Sequence, residues 1–176
     1  MRFGRQGPSV GALVLLALAV AALAGADCSG EDERDGGRPE LGRSVRAEVE
    51  RVIDGDTIEV MIGDSEEDVR YIGVDTPESV APGEPVECFG KAASGENERL
   101  VGGETVRLVF DAERRDDYGR LLAYVYVGEL FVNAALVEDG FARTLEIEPN
   151  TSRAGRLARL EAEAGREGHG LWGACR

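Results

Sequence analysis

The sequence predicts an α+β domain, a five-stranded OB-type β-barrel with three helices. Two observations lead there. Five short runs alternate apolar and polar residues and are separated by turn residues, as half-buried strands do. A stretch of helical spacing falls between the third and fourth runs and two more follow the fifth, the element order of such a barrel. The pattern alone also admits other small α+β arrangements. At 176 residues the chain can bury one good core and is too short for two ordinary domains.

The N-terminus stands apart from that core. Arg2 and Arg5 precede an apolar run over residues 10–23, with Ala22, Ala24, Gly25 and Ala26 at its end. This is the layout of a secretory signal, assigned to residues 1–26. The run falls short of the ~18 apolar residues of a membrane span, which favours export with removal over a retained anchor. Cys28 sits where a lipid-modified cysteine would, although Asp27 before it fits that processing poorly. Residues 27–44 hold much glycine and charge and cannot offset their ordering entropy by burial, so they read as an acidic linker. The folded domain is expected over residues 45–176.

Within it, residues 45–53 read as the first strand. Asp54-Gly55 is a hairpin signal, and residues 57–62 return with Ile58, Val60 and Ile62 on one face. An acidic turn over 63–67 leads to a third strand at 69–74. Pro77, Pro82 and Pro85 then interrupt regular structure. A helix over 88–101 is suggested by Phe89, Ala92, Ala93 and Leu100, weakened by Gly90 and Gly95. Residues 105–110 form the fourth strand, 111–119 a charged loop and 120–127 the fifth strand. Val132, Ala135 and Leu136 mark a second helix ending at Gly140. Asn150 or Thr151 should cap the last, with Leu157, Leu160 and Ala164 inward and Gly168 and Gly170 at its end.

Charge narrows the chemistry. The chain carries 20 basic and 34 acidic residues, and loss of Arg2 and Arg5 with the signal takes the net charge from −14 to −16. Lys91 is its one lysine. A surface so acidic suits very high salt, and it argues against nucleic-acid binding through a general basic face, so a polyanion must be held locally. His169, the one histidine, lies in the Gly-rich tail and cannot convincingly anchor a zinc site or a nucleophile–histidine pair. No GxxxxGK[ST] or GxGxxG motif occurs.

What remains is carboxylate and arginine. Asp56 and Asp75 are hard oxygen ligands of the kind that take Ca²⁺ or Mg²⁺. Glu78, three residues beyond Asp75, can share their site and hold a water. Arg70 and Arg120 suit phosphate oxygens, donating in parallel. A cation, two arginines and a carboxylate base together make a site for phosphodiester hydrolysis. Each group also has an ordinary reading: Asp54-Gly55-Asp56 as a turn, Asp75-Thr76-Pro77-Glu78 as a turn or helix entry, the arginines as surface charge. Among the cysteines, Cys88 and Cys175 are the candidates for a bridge, with two free thiols as the alternative.

DGDT at 54–57, RYIGVDTPE at 70–78, ECFGKAA at 87–93, DDYGR at 116–120, AYVYVGELFVNAALVEDGFA at 124–142 and GLW at 170–172 resemble, in one register over roughly residues 46–173, the staphylococcal nuclease (thermonuclease) family. The resemblance implies a barrel of OB type with three helices. It also implies one Ca²⁺ held by Asp56, Asp75 and the Thr76 carbonyl, Glu78 as general base, and Arg70 and Arg120 on the scissile phosphate. Tyr118 and Asp116 match positions near the neighbouring phosphate. Asp117 departs from the pattern, standing where the best-known member has a lysine. So do Leu145 and Ile147, where that protein has tyrosines against the base; stacking there is worth ~1–3 kcal/mol per base. The implied activity is Ca²⁺-dependent cleavage of DNA and of RNA, leaving 3′-phosphates, by a secreted monomer. The rival expectations are an OB-fold nucleic-acid-binding module without catalysis and an envelope-tethered calcium-binding domain. Attachment to the outer face of the cell membrane is the alternative location.

Overall fold

The structure, a computed structural model, describes residues 43–79 and 86–175. The signal expected over 1–26, Cys28 and all of the linker but its last two residues lie outside these. A meander opens the barrel: β1 (Ser44–Val52), β2 (Thr57–Ile62) and β3 (Ser65–Tyr71) pair antiparallel in sequence. The other edge of β1 takes β5 (Thr105–Val109), which pairs with β6 (Leu121–Val127). A parallel pairing of β6 with β3, Val69 opposite Leu121 and Arg70 opposite Leu122, closes the five strands on themselves.

The closed barrel follows from the alternation. Ile58, Val60, Val69, Val106, Leu108, Leu121, Ala123 and Val125 all point inward and are fully buried. Three helices cover the barrel, α1 (Gly90–Val101), α2 (Val132–Glu138) and α3 (Ala154–Glu167), followed by a single turn α4 (Leu171–Ala174). Short strands complete the set: β4 (Val74–Asp75) pairs with β8 (Arg143–Thr144), and β7 (Leu130–Phe131) with the end of β6.

Several elements differ in extent from the sequence reading. β1 begins at Ser44, and Phe110 N–H donates to the Arg43 carbonyl, so the last two residues assigned to the linker belong to the domain. The expected acidic turn is mostly strand: Ile62 pairs with Ser65 and Met61 with Glu66, leaving Gly63-Asp64 as the turn, with Gly63 at φ 60°. The outward side chains of this strand are acidic, which hid its period. Gly73, at φ 79°, then divides the expected third strand into β3 and β4. The inner face of α1 is Ala93, Asn97 and Val101, with Ala92 exposed. Asn150 does not cap α3; its amide instead bonds both the N–H and the C=O of Glu113, and α3 starts after Arg153 with no side-chain cap.

Candidate active site

Barrel closure brings distant residues together. Val69 and Leu121 face inward across the parallel seam, so Arg70 and Arg120, each one residue away, both project to the outer face. They meet the loop after β1 there. That loop is longer than a two-residue Asp-Gly hairpin: Ile53 and Asp54 N–H groups both donate to the Thr57 carbonyl. Asp54 does serve as the turn residue, its Oδ1 accepting from Asp56 N–H at 3.0 Å. Gly55 is required for a different reason. A Cβ at this position would lie 2.6 Å from Thr76 Oγ1, so the close approach of the 54–57 loop to the 74–78 segment depends on glycine.

Asp56 is 4% exposed. Its Oδ2 accepts from Thr76 N–H at 2.7 Å and from Thr76 Oγ1 at 3.1 Å, and Arg70 Nη1 lies 3.2 Å away. Burial pushes the Asp56 carboxyl up to about 7; Arg70 pulls it down and Asp54 adds to the rise. Asp75, on β4, is exposed and its Oδ1 accepts from Arg70 Nη2 at 3.0 Å. The other Arg70 nitrogen also donates to the Val74 and Tyr71 carbonyls. One guanidinium thus spans both acids.

Arg120 is held by Asp116, whose carboxylate accepts from Arg120 Nε at 2.7 Å and from the amides of Arg120 and Tyr118. Partial burial works against the Asp116 anion, but the bonds from Arg120 outweigh it and keep the carboxyl below its usual range. Asp116 therefore orients Arg120. It has no proton to give a phosphate. The loop itself is fixed by Arg115, which bonds both carboxylate oxygens of Glu67 on β3 and the Gly119 carbonyl.

Asp56, Arg70, Asp75, Thr76, Glu78 and Arg120 all line one cleft of about 140 Å³, together with Asp54. A larger one of about 360 Å³ begins at Arg70 and Arg120 and runs past Asp116, Asp117, Tyr118, Leu145 and Ile147. Tyr118 is 87% exposed, with Arg120 stacked 5.6 Å from its ring centre. Cys88 and Cys175 form a disulfide with Cα atoms 5.9 Å apart. Asp54, Asp56, Arg70, Asp75, Thr76, Glu78 and Arg120 thus share the smaller cleft, Asp116 and Tyr118 line the larger one, and Cys88 and Cys175 lie beside Asp75 and Thr76.

Asn97 escaped the sequence reading. Fully buried on α1, it accepts from the Tyr71 hydroxyl at 2.9 Å and donates to the Asp54 carbonyl at 2.9 Å. The one signal was an amide at the i+4 position between Ala93 and Val101.

Among the described residues, no three acid, histidine or cysteine side chains are gathered around one point as a ready metal cage. The donor set still fits a hard cation. Four carboxyl groups, Asp54, Asp56, Asp75 and Glu78, line the cleft against two arginines, Arg70 and Arg120, and a cation beside Asp56 would offset the burial that raises its carboxyl. Ca²⁺ takes 6–8 oxygens, many from water and substrate, so two protein acids and a carbonyl suffice as an open site.

The family model for staphylococcal nuclease homologues matches residues 68–174. The thermonuclease of Staphylococcus intermedius is 40% identical over 141 residues, spanning 78% of this chain and 84% of that protein. That of Staphylococcus hyicus is 40% identical over 122 residues, 69% and 72% of the two chains. Endonuclease YncB of Bacillus subtilis is 42% identical over 130 residues, 73% of this chain and 62% of its own.

Proposed function

Since the chain belongs to the staphylococcal nuclease family and is a nuclease that hydrolyses nucleic acids, we propose that it works with one Ca²⁺ on DNA and RNA, as a monomer, and leaves 3′-phosphates. The observation that carries this is the convergence of Arg70, Arg120 and Glu78 with Asp56 and Asp75 on a single cleft.

Asp56, Asp75 and the Thr76 carbonyl would hold the ion, which when bound adds positive charge against a non-bridging phosphate oxygen. Glu78 takes a proton from the attacking water as the new P–O bond forms. The bond to the 5′ oxygen breaks, that oxygen takes a proton from water, and the phosphate stays on the 3′ side. Arg70 and Arg120 donate to the equatorial oxygens as their charge grows, from positions set beforehand by the Val74 and Tyr71 carbonyls and by Asp116. The nucleoside beside the scissile phosphate would lie in the larger cleft, against Tyr118, Leu145 and Ile147.

Export is part of the same proposal. The signal pattern over residues 1–26 and the Cys88–Cys175 bridge both support an oxidising compartment.

The test incubates the protein with single-stranded DNA and, separately, RNA in Ca²⁺, with and without chelator, alongside Glu78→Gln. Chelator-sensitive cleavage that Glu78→Gln largely abolishes is expected. Cleavage indifferent to chelator removes the metal from the mechanism, and full activity in Glu78→Gln removes the base.

A further inference from the structure

Glu78 is held by a residue nine positions on, Glu87. Its N–H donates to Glu87 Oε2 at 3.0 Å, and Glu87 N–H donates back to the Glu78 carbonyl at 2.9 Å. Residue 87 thus serves residue 78 twice, once through its side chain and once through its backbone. Gly90 closes the arrangement: a Cβ there would stand 2.4 Å from the Glu78 carbonyl oxygen. On the other flank Ser79 N–H donates to the Glu78 carboxylate at 2.8 Å, and the Ser79 hydroxyl bonds Ser94 on α1 at 2.6 Å.

Glu87 is exposed, and its anion lies in no ion pair with a described cation, though the chain is rich in arginine. An exposed glutamate loses side-chain entropy by staying in one place, so something must hold its backbone. The next residue is Cys88, bridged to Cys175 behind α4. Phe89 follows at φ 74°, a left-handed conformation uncommon for a bulky side chain, with its ring 5.4 Å from that of Phe141. Residue 87 is therefore anchored by a covalent bond on one side and a ring contact two residues on.

We propose that Glu87 is a positioning residue for Glu78, and that the disulfide supplies the fixed point from which it acts. The proposal rests on the reading of Glu78 as general base. The Glu87 carboxylate sets the Glu78 amide, and through it the direction in which the base leaves the backbone, without itself touching phosphate or metal. Small misplacements of a catalytic group are costly, up to about 100-fold for 1 Å.

The experiment compares Glu87→Ala, Glu87→Gln, Glu78→Gln and the Glu78→Gln/Glu87→Ala double variant in full-length protein, with kcat, KM for single-stranded DNA and Ca²⁺ affinity measured on each. Glu87→Ala should lower kcat by about 10-fold and leave KM and Ca²⁺ affinity within about twofold. Its backbone bond to the Glu78 carbonyl remains, so the fold is kept. Glu87→Gln should recover most of the loss, because its amide oxygen accepts the same N–H. In the Glu78→Gln background Glu87→Ala should cost nothing further, as expected for two residues acting as a unit. Wild-type kcat in Glu87→Ala, with Glu78→Gln disabled, overturns the positioning role and spares the base. An undiminished further loss in the double variant overturns it as well, placing Glu87 elsewhere in the reaction. Wild-type activity in Glu78→Gln overturns the base reading itself.

Discussion

Asn97→Leu tests how the 54–57 loop is supported. The substitution keeps the side-chain volume roughly constant and removes both amide bonds. One lost partner is the Tyr71 hydroxyl, on a residue 1% exposed, which has no route to water and should cost about 1–3 kcal/mol when left unpaired. The other is the Asp54 carbonyl, on a half-buried residue that water can reach, at about 0.5–1.5 kcal/mol. The expected loss is thus about 1.5–4.5 kcal/mol, read from urea unfolding with an unchanged m value. Adding Tyr71→Phe deletes the stranded hydroxyl and should return about 1–2 kcal/mol while leaving the Asp54 carbonyl unpaired. Nuclease activity well below the unfolding midpoint should fall in both variants, because the Asp54 carbonyl sets the loop that carries Asp56. A loss under about 0.5 kcal/mol, or a double variant no more stable than Asn97→Leu, would refute the reasoning, since either result means the hydroxyl finds another partner.

Replacing Cys88 and Cys175 with serine opens a crosslink spanning 87 residues, for which chain entropy predicts a loss of about 4–5 kcal/mol; calorimetry should show Tm falling by roughly 15 °C. Asp116→Ala frees the Arg120 side chain and should lower kcat by about tenfold; Asp116→Asn, which still accepts the Tyr118 and Arg120 amides, should fall between it and wild type in steady-state kinetics. Ca²⁺ at 100 times its Kd should stabilise the protein by about 2.7 kcal/mol, and Asp56→Ala should abolish that gain in thermal melts with and without the ion. Gly55→Ala drives a methyl group into Thr76 and should destabilise by about 1–3 kcal/mol, a differential scanning measurement in which no change would mean that the loop has room to shift.

The meander and the fifth strand were legible because their inward residues are β-branched or large and recur every second position. Ser65–Asp68 was not, since its outward side chains are acidic and its inward ones polar, so the strand reads as a charged turn until its pairing with β2 is seen. Asn150 followed the composition rule for a helix cap, but a long-range bond to Glu113 took its amide away. In the candidate site, the side chains gathered in the cleft could be read from residue type and motif, while those that hold them could not. Asp116 reads as one more acid near a phosphate until its bonds to Arg120 are visible, and Glu87 and Asn97 act through main-chain atoms 9 and 43 residues away, a relation that periodicity does not encode.

The parallel contact between β3 and β6 has a temporal meaning. Residues 54–78 bring the acids and Arg70 together through neighbouring hairpins, which cost little chain entropy to close. Arg120 arrives only when a segment fifty residues downstream docks in register, and a slip of one position would turn it toward the interior. A chain caught before that step carries Asp56, Asp75 and Glu78 without the second guanidinium. On the proposed mechanism, cutting ability should appear no earlier than that docking, and its onset during refolding should report it.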